Sequence, residues 1–309
     1  MNLLLASVVL VVGLGVLVLG ADALVRASAL LARRLGISEF VVGVTVVAFG
    51  TSAPELFASV GAVLQNQPDL AIGNVVGSNI ANILLILGAG GLIAPIVMRP
   101  RVRTVEIPVM AAITAVAMIF MLDQRVGRIE GAILFAGLGA YIAFCIKGGS
   151  VKPEDELPEL AGSVGRDLLF ILLGMAGLGL GTRAVVLGAV AIAERAGVPS
   201  GIIGTTVVAF GTSLPELAAT VRAALARKSD IAVGNIVGSN VFNLLSVLGV
   251  CALVTPLTMP DLMVTHVYAM GAATVLLLVY ALARPVIGRF VGLAFLAAYL
   301  AYVILAYRP

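Results

Sequence analysis

The sequence predicts an all-α membrane protein with ten transmembrane helices in two inverted five-helix repeats. Three observations carry this prediction. The 309-residue chain is 61% hydrophobic and only 11% charged, with a mean hydropathy of +1.15, whereas soluble domains hold about 25% charged residues. Its apolar runs are apolar on every side rather than alternating as barrel strands do, and most are near the ~20 residues a helix needs to cross a bilayer. Finally, one pattern occurs twice at a constant offset of 161 residues, without gaps: residues 43–60 match 204–221 at 14 of 18 positions, and residues 73–88 match 234–249 at 10 of 16. The shared residues include Gly, Pro, Asn, Ser, Thr and Glu, which chance likeness between apolar helices does not produce.

The expected spans are 3–32, 40–64, 70–93, 104–122 and 129–147, then 166–193, 200–225, 231–254, 262–282 and 287–307. The first has an apolar core and an Ala-Asp-Ala end, as a signal peptide does. It lacks a positive n-region and stays apolar to Leu31, so it reads as an uncleaved first helix. The polar stretch 147–166, rich in Gly, Pro and acidic residues, reads as a linker. This divides the chain into a first repeat (1–146), a cytoplasmic linker (147–165) and a second repeat (166–309). Five spans per half insert the halves in opposite senses, a transporter signature that places a site near the midplane where they meet.

Positive charge sets the orientation. With the N-terminus outside, Arg26, Arg33, Arg34, Arg99, Arg101, Arg103, Lys147, Lys152, Arg166, Arg222, Arg227, Lys228, Arg284 and Arg289 fall on the inside. Arg125, Arg128, Arg195 and Arg308, with Arg183 inside a span, fall on the outer side. Fourteen against five predicts both termini outside a cell membrane. This also accounts for the net charge of +3 without a nucleic-acid partner. Cys145 and Cys251 lie in apolar runs, so no disulfide framework is expected.

The chemistry lies in the doubled segment. Pro54-Glu55 and Pro215-Glu216 place a carboxylate inside an apolar span, where it is costly and marks a functional site. Proline removes the helical donor of the Gly50 carbonyl, and Gly50 with Pro54 favours a kink or break. Thr51 and Ser52 precede Glu55 by four and three residues and share its face; Thr212, Ser213 and Glu216 repeat the arrangement. The next helix of each half adds Ser78 with Asn82, and Ser239 with Asn243, each pair four apart. Carboxylate, hydroxyl, amide and carbonyl oxygens are ligands for hard cations such as Na⁺, Ca²⁺ and Mg²⁺. A transition metal would want His or Cys. Ser52 and Ser213 have no base nearby in sequence, so the chain does not read as an enzyme. Asn74, Asn79, Asn235 and Asn240 suit either the site or interhelical hydrogen bonding; Asp22, Arg183 and His266 read as structural.

The motifs GVTVVAFGTSAPE with GNVVGSNIAN, and GTTVVAFGTSLPE with GNIVGSNVFN, resemble the α-repeats of the cation/Ca²⁺ exchanger superfamily, in particular its prokaryotic sodium/calcium exchanger branch. The resemblance covers essentially the whole chain. It implies that Glu55 and Glu216 ligate Ca²⁺ with Thr51 and Thr212 beside them. It implies flanking Na⁺ sites at Ser52, Ser78 and the Ala48 carbonyl, and at Ser213, Ser239 and the Ala209 carbonyl. It also implies that the first and sixth helices slide across the other eight. One departure stands out: well-known sodium/calcium exchangers have Asp where this chain has Asn243, matching Asn82 of the first repeat. Two carboxylates still balance one Ca²⁺. The expected function is therefore antiport of cytoplasmic Ca²⁺ against external Na⁺, with H⁺ as the alternative coupling ion and a cation channel as the rival mechanism. Inorganic cations and the bilayer are the expected partners, with no cofactor and no obligate protein partner.

Overall fold

The computed structural model describes residues 1–148, 162–197 and 209–306. The first half comprises α1 (Leu3–Leu35), α2 (Glu39–Leu64), α3 (Pro68–Ile93), α4 (Val102–Phe120) and α5 (Arg128–Gly148). The second comprises α6 (Val164–Arg195), α7, α8 (Ser229–Val254), α9 (Asp261–Ala283) and α10 (Arg289–Ala306). Among the described residues nine helices are long and apolar enough to cross a membrane. The remaining expected span, α7, is described from Ala209 onward, as Ala209–Thr212 and Leu214–Leu225. Most of the expected linker lies outside the described residues.

Local sequence explains the helix ends. Asn2 caps α1 by accepting the Leu5 N–H at 2.7 Å, and Gly36 ends it in the left-handed region (φ 64°). Ser38 then caps α2 by accepting from the Val41 N–H.

The halves interlock through their small residues. A Cβ on Gly131 of α5 would sit 2.9 Å from the Gly249 carbonyl oxygen of α8, and one on Gly292 of α10 would sit 2.6 Å from the Leu92 nitrogen of α3. These contacts correspond at the 161-residue offset. Each half thus docks its last helix on the third helix of the other, making α3 and α8 the buried centre. Of α8's apolar window 89% is buried, against 11% for α10. Where α2 crosses α8, a Cβ on Gly234 would lie 2.8 Å from the Phe40 carbonyl oxygen. Close backbone approach through glycine is how membrane helices pack without a hydrophobic drive between them.

The all-α expectation omitted four short strands: β1 (Ile96–Val97), β2 (Arg125–Val126), β3 (Leu257–Thr258) and β4 (Val286–Ile287). β1 pairs antiparallel with β4 and β2 with β3. These pairs also exchange under the repeat, and they tie the halves together at opposite ends of the helices. Strands of two residues carry no periodic signal, so their pairing follows only from where the helices bring them.

α1 and α6 run antiparallel over their whole length. A Cβ on Gly20 would be 2.7 Å from the Leu178 nitrogen, one on Gly174 2.7 Å from the Leu24 nitrogen, and one on Gly181 2.6 Å from the Leu17 nitrogen. The heptad spacing of Gly174, Gly181 and Gly188 keeps one glycine stripe on the seam. Arg34 joins α1 to Asp167 of α6, Nε to Oδ2 at 2.5 Å. Asp22 pairs with Arg26 of α1 and Arg222 of α7, not with Arg183, which is exposed.

Candidate functional site

The helices that carry the doubled motif are irregular near it. π-helical turns occupy Gly43–Val47 in α2, Ala81–Ile86 in α3 and Asn243–Leu248 in α8. Such turns shift the hydrogen-bond ladder by one residue and cluster at functional sites. The expected break at Gly50–Pro54 is absent: α2 runs as α-helix from Ala48 to Leu64 through Pro54. Packing of α2 against α3 and α8 holds the helix despite the donor that Pro54 removes. In α7 the helix does break, at Ser213 (φ −88°, ψ 4°), whose N–H donates to the Phe210 carbonyl at 3.2 Å. Pro215 follows at the start of the next helical piece, where its missing N–H costs least.

These irregular segments meet across the two halves. Glu55 and Glu216 are each 1% exposed. Ser52 Oγ donates to Glu216 Oε1 at 3.0 Å. Thr51 Oγ1 donates to the Ala48 carbonyl at 3.3 Å and to Asn235 Oδ1 at 3.0 Å, and lies 3.5 Å from Ser239 Oγ. Ser78, Ser213, Asn82 and Asn243 are buried, while Thr212 is half-buried. Of the twelve residues expected at the site, only the surroundings of Ala209 lie outside what is described.

Asn74 and Asn235, which correspond under the repeat, act as clamps. Asn74 Nδ2 donates to the Glu55 carbonyl at 3.3 Å and to Ser59 Oγ at 2.9 Å. Asn235 Nδ2 does the same to the Glu216 carbonyl at 3.3 Å and Thr220 Oγ1 at 3.0 Å. Each therefore fixes the backbone of the helix that carries the carboxylate. Ser59 and Thr220 were not singled out from sequence; their only signal was a hydroxyl four residues beyond each glutamate.

Several polar atoms at this centre have no protein partner. Glu55 Oε2, Glu216 Oε2, Asn82 Oδ1, Asn82 Nδ2 and Asn243 Oδ1 are buried without a hydrogen bond, five of nine such atoms among the described residues. Each costs about 1–3 kcal/mol, more for a charged group, unless something satisfies it. Four of the five are oxygens, from two carboxylates and two amides. Among the described residues no group of three His, Cys, Asp or Glu is present. Four such oxygens, two of them from carboxylates, fit a hard cation.

The family described as sodium/calcium exchanger protein matches residues 5–147 and 167–308. The chain is 39% identical over 264 residues to the inner membrane protein YrbG of Escherichia coli (strain K12), covering 82% of this chain and 81% of that protein. It is 30% identical over 344 residues to the sodium/calcium exchanger MaX1 of Methanosarcina acetivorans, covering 97% of each. The fold matches the structure of the sodium-calcium exchanger NCX_Mj soaked with 10 mM Na⁺ and zero Ca²⁺, with a TM-score of 0.89 and 32% identity, over 99% of this chain and all of that one.

Proposed function

The chain belongs to the sodium/calcium exchanger family, and from that membership we propose that it exchanges cytoplasmic Ca²⁺ for external Na⁺ at the Glu55–Glu216 centre. Proteins of this family are membrane transporters rather than enzymes. The observation that carries the site assignment is the cluster of orphaned oxygens on Glu55, Glu216, Asn82 and Asn243. In this reading Ca²⁺ binds between the two carboxylates with Thr51 and Thr212 beside it. Na⁺ ions take Ser52, Ser78 and the Ala48 carbonyl on one side, and Ser213, Ser239 and the Ala209 carbonyl on the other. Asn82 and Asn243 supply neutral amide oxygens.

Both ions draw on the carboxylate oxygens of Glu55 and Glu216, so Ca²⁺ and Na⁺ compete there and move in turn. Two bare carboxylates at the midplane resist occlusion, and the protein switches access only once cations neutralise them. The α1–α6 pair is suited to that movement: it packs on itself through backbone contacts and reaches the rest of the protein mainly through α1 against α2 and α7. The orientation is N-out and C-out, with the linker at 147–165 in the cytoplasm. It follows from the excess of Lys and Arg on that side. Arg99–Asp230 and Lys228–Glu39 pair at the same face. If a cycle moves net charge, the membrane potential contributes roughly 2.3 kcal/mol per charge per 100 mV.

Coupling to H⁺ is the second reading, favoured by the neutral Asn243 where well-known exchangers place a carboxylate. Ca²⁺ uptake into vesicles of purified protein, under an imposed Na⁺ gradient and then under a pH gradient alone, separates the two. Uptake with the Na⁺ gradient supports Na⁺ coupling; uptake only with the pH gradient sinks it. A channel would instead give sustained single-channel currents indifferent to any counter-gradient.

A further inference from the structure

The two walls of the site are chemically alike in sequence and unlike in structure. Asn79 and Asn240 correspond under the repeat, as do Asn82 and Asn243. Asn79 points its amide across the interface between the halves. Its Nδ2 donates to the Asn240 carbonyl at 3.4 Å and lies 3.6 Å from Met270 Sδ, while its Oδ1 accepts from Asn243 Nδ2 at 3.1 Å. Asn240 instead turns back onto its own helix, Nδ2 to the Ile236 carbonyl at 2.8 Å. Asn82 therefore keeps both amide atoms without a partner, while Asn243 is held by one end and leaves only Oδ1 free.

We propose that Asn79 is a positioning residue that presents the Asn243 amide oxygen to the transported cation. Turning the Asn79 amide over would set its oxygen against the Asn240 carbonyl, two acceptors with no proton between them. Its orientation is thus fixed by the Asn240 backbone, and so Asn79 Oδ1 must meet a donor at residue 243. Asn243 meets that need with Nδ2, which leaves Oδ1 as the atom facing the site. Asn79 (1% exposed), Asn243 (1%) and Met270 (0%) are all buried, so these bonds are shielded from bulk solvent. The α8 wall offers a pre-set neutral oxygen, and the α3 wall an amide free to turn. The inference rests on the reading of Asn243 as part of the cation site.

The test is a double-substitution cycle with two readouts. In detergent, Asn79→Leu and Asn243→Leu are each expected to lower the melting temperature, and together to lower it by clearly less than their sum, since one bond is lost once. In vesicles, Asn79→Leu is expected to raise the KM for Ca²⁺ about 5- to 20-fold while the rate at saturation stays within about 2-fold, the range of a misplaced polar ligand. In the Asn243→Leu background it should change KM less than 2-fold. Asn240→Leu, its counterpart under the repeat, should leave KM within 2-fold of the unaltered protein. Additive melting shifts overturn the proposal, as does an unchanged KM in Asn79→Leu. If the unaltered protein takes up no Ca²⁺ under any gradient, the Ca²⁺ reading fails and the role given to Asn79 falls with it. The melting cycle separates that case from a missing hydrogen bond.

Discussion

Replacing Gly181 by Ala adds one methyl group to the seam between α1 and α6. That Cβ would lie 2.6 Å from the Leu17 nitrogen and 2.8 Å from its Cα, about 1 Å short of the 3.4–4 Å of ordinary contact. The obstructing atoms are backbone, so no rotamer change relieves them; the helices must separate or tilt. Separation at Gly181 also loosens the contacts at Gly174 and Gly188, one heptad to either side. Overpacking of this kind costs about 1–3 kcal/mol. Gly179→Ala is the internal control: nothing lies within 4 Å of its Cβ, and both substitutions gain the same helix propensity of up to about 1 kcal/mol. Equilibrium unfolding in mixed micelles of increasing SDS should therefore rank Gly179→Ala at or above the unaltered protein and Gly181→Ala below it, a gap of about 2 kcal/mol. Ca²⁺ uptake should slow in Gly181→Ala alone, because the pair no longer moves as one body. Equal unfolding curves for the two variants would refute the close backbone seam as the element that holds α1 to α6.

Other outcomes follow from the site and the ion pairs. Glu55→Gln and Glu216→Gln should each cut Ca²⁺ uptake on the order of 100-fold or more, since removing one of two buried charges facing a dication costs about 3 kcal/mol; uptake by both variants in vesicles would remove the site assignment, provided gel filtration shows them intact. Ser52→Ala takes the 3.0 Å donor from Glu216 Oε1 and a ligand from one Na⁺ position. It should raise the Na⁺ needed for half-maximal exchange about 10-fold, as a charge-assisted bond of about 1.5 kcal/mol dictates, and move the Ca²⁺ requirement less. An equal shift for both ions would contradict separate Na⁺ positions. Asp167→Ala breaks the Arg34 pair, whose side chains are 13% and 3% exposed, and should cost about 3 kcal/mol in the same SDS titration. Asp22→Ala breaks pairs that are much more open to solvent and should cost about 1 kcal/mol or less; the reverse order would show that burial does not set the strength of these pairs.

Much of the architecture was legible because its cause is local. A carboxylate in an apolar span and a hydroxyl four residues before it carry the same meaning wherever they occur. A 161-residue offset turns two such segments into one centre. The asparagines were harder to read. The sequence left Asn74 and Asn235 open between the site and interhelical hydrogen bonding; the structure uses them to hold backbone carbonyls of the neighbouring helix. Asp22 and Arg183 correspond under the repeat, yet Asp22 pairs with Arg26 and Arg222, because α7 brings the second guanidinium within reach of α1.

The sequence by itself determined the class, the doubled segment and the kinds of atoms at the centre, since the cost of polar groups in a bilayer leaves few other places for them. Tertiary structure decided which of those atoms are used. The same repeat unit yields a continuous helix through Pro54 and a broken one at Ser213, a tethered Asn243 and an untethered Asn82. Hydrogen bonds across the interface depend on distances between segments far apart in the chain. A near-symmetric sequence can satisfy those distances on one side only, and so its two copies come to leave different amide atoms without a protein partner.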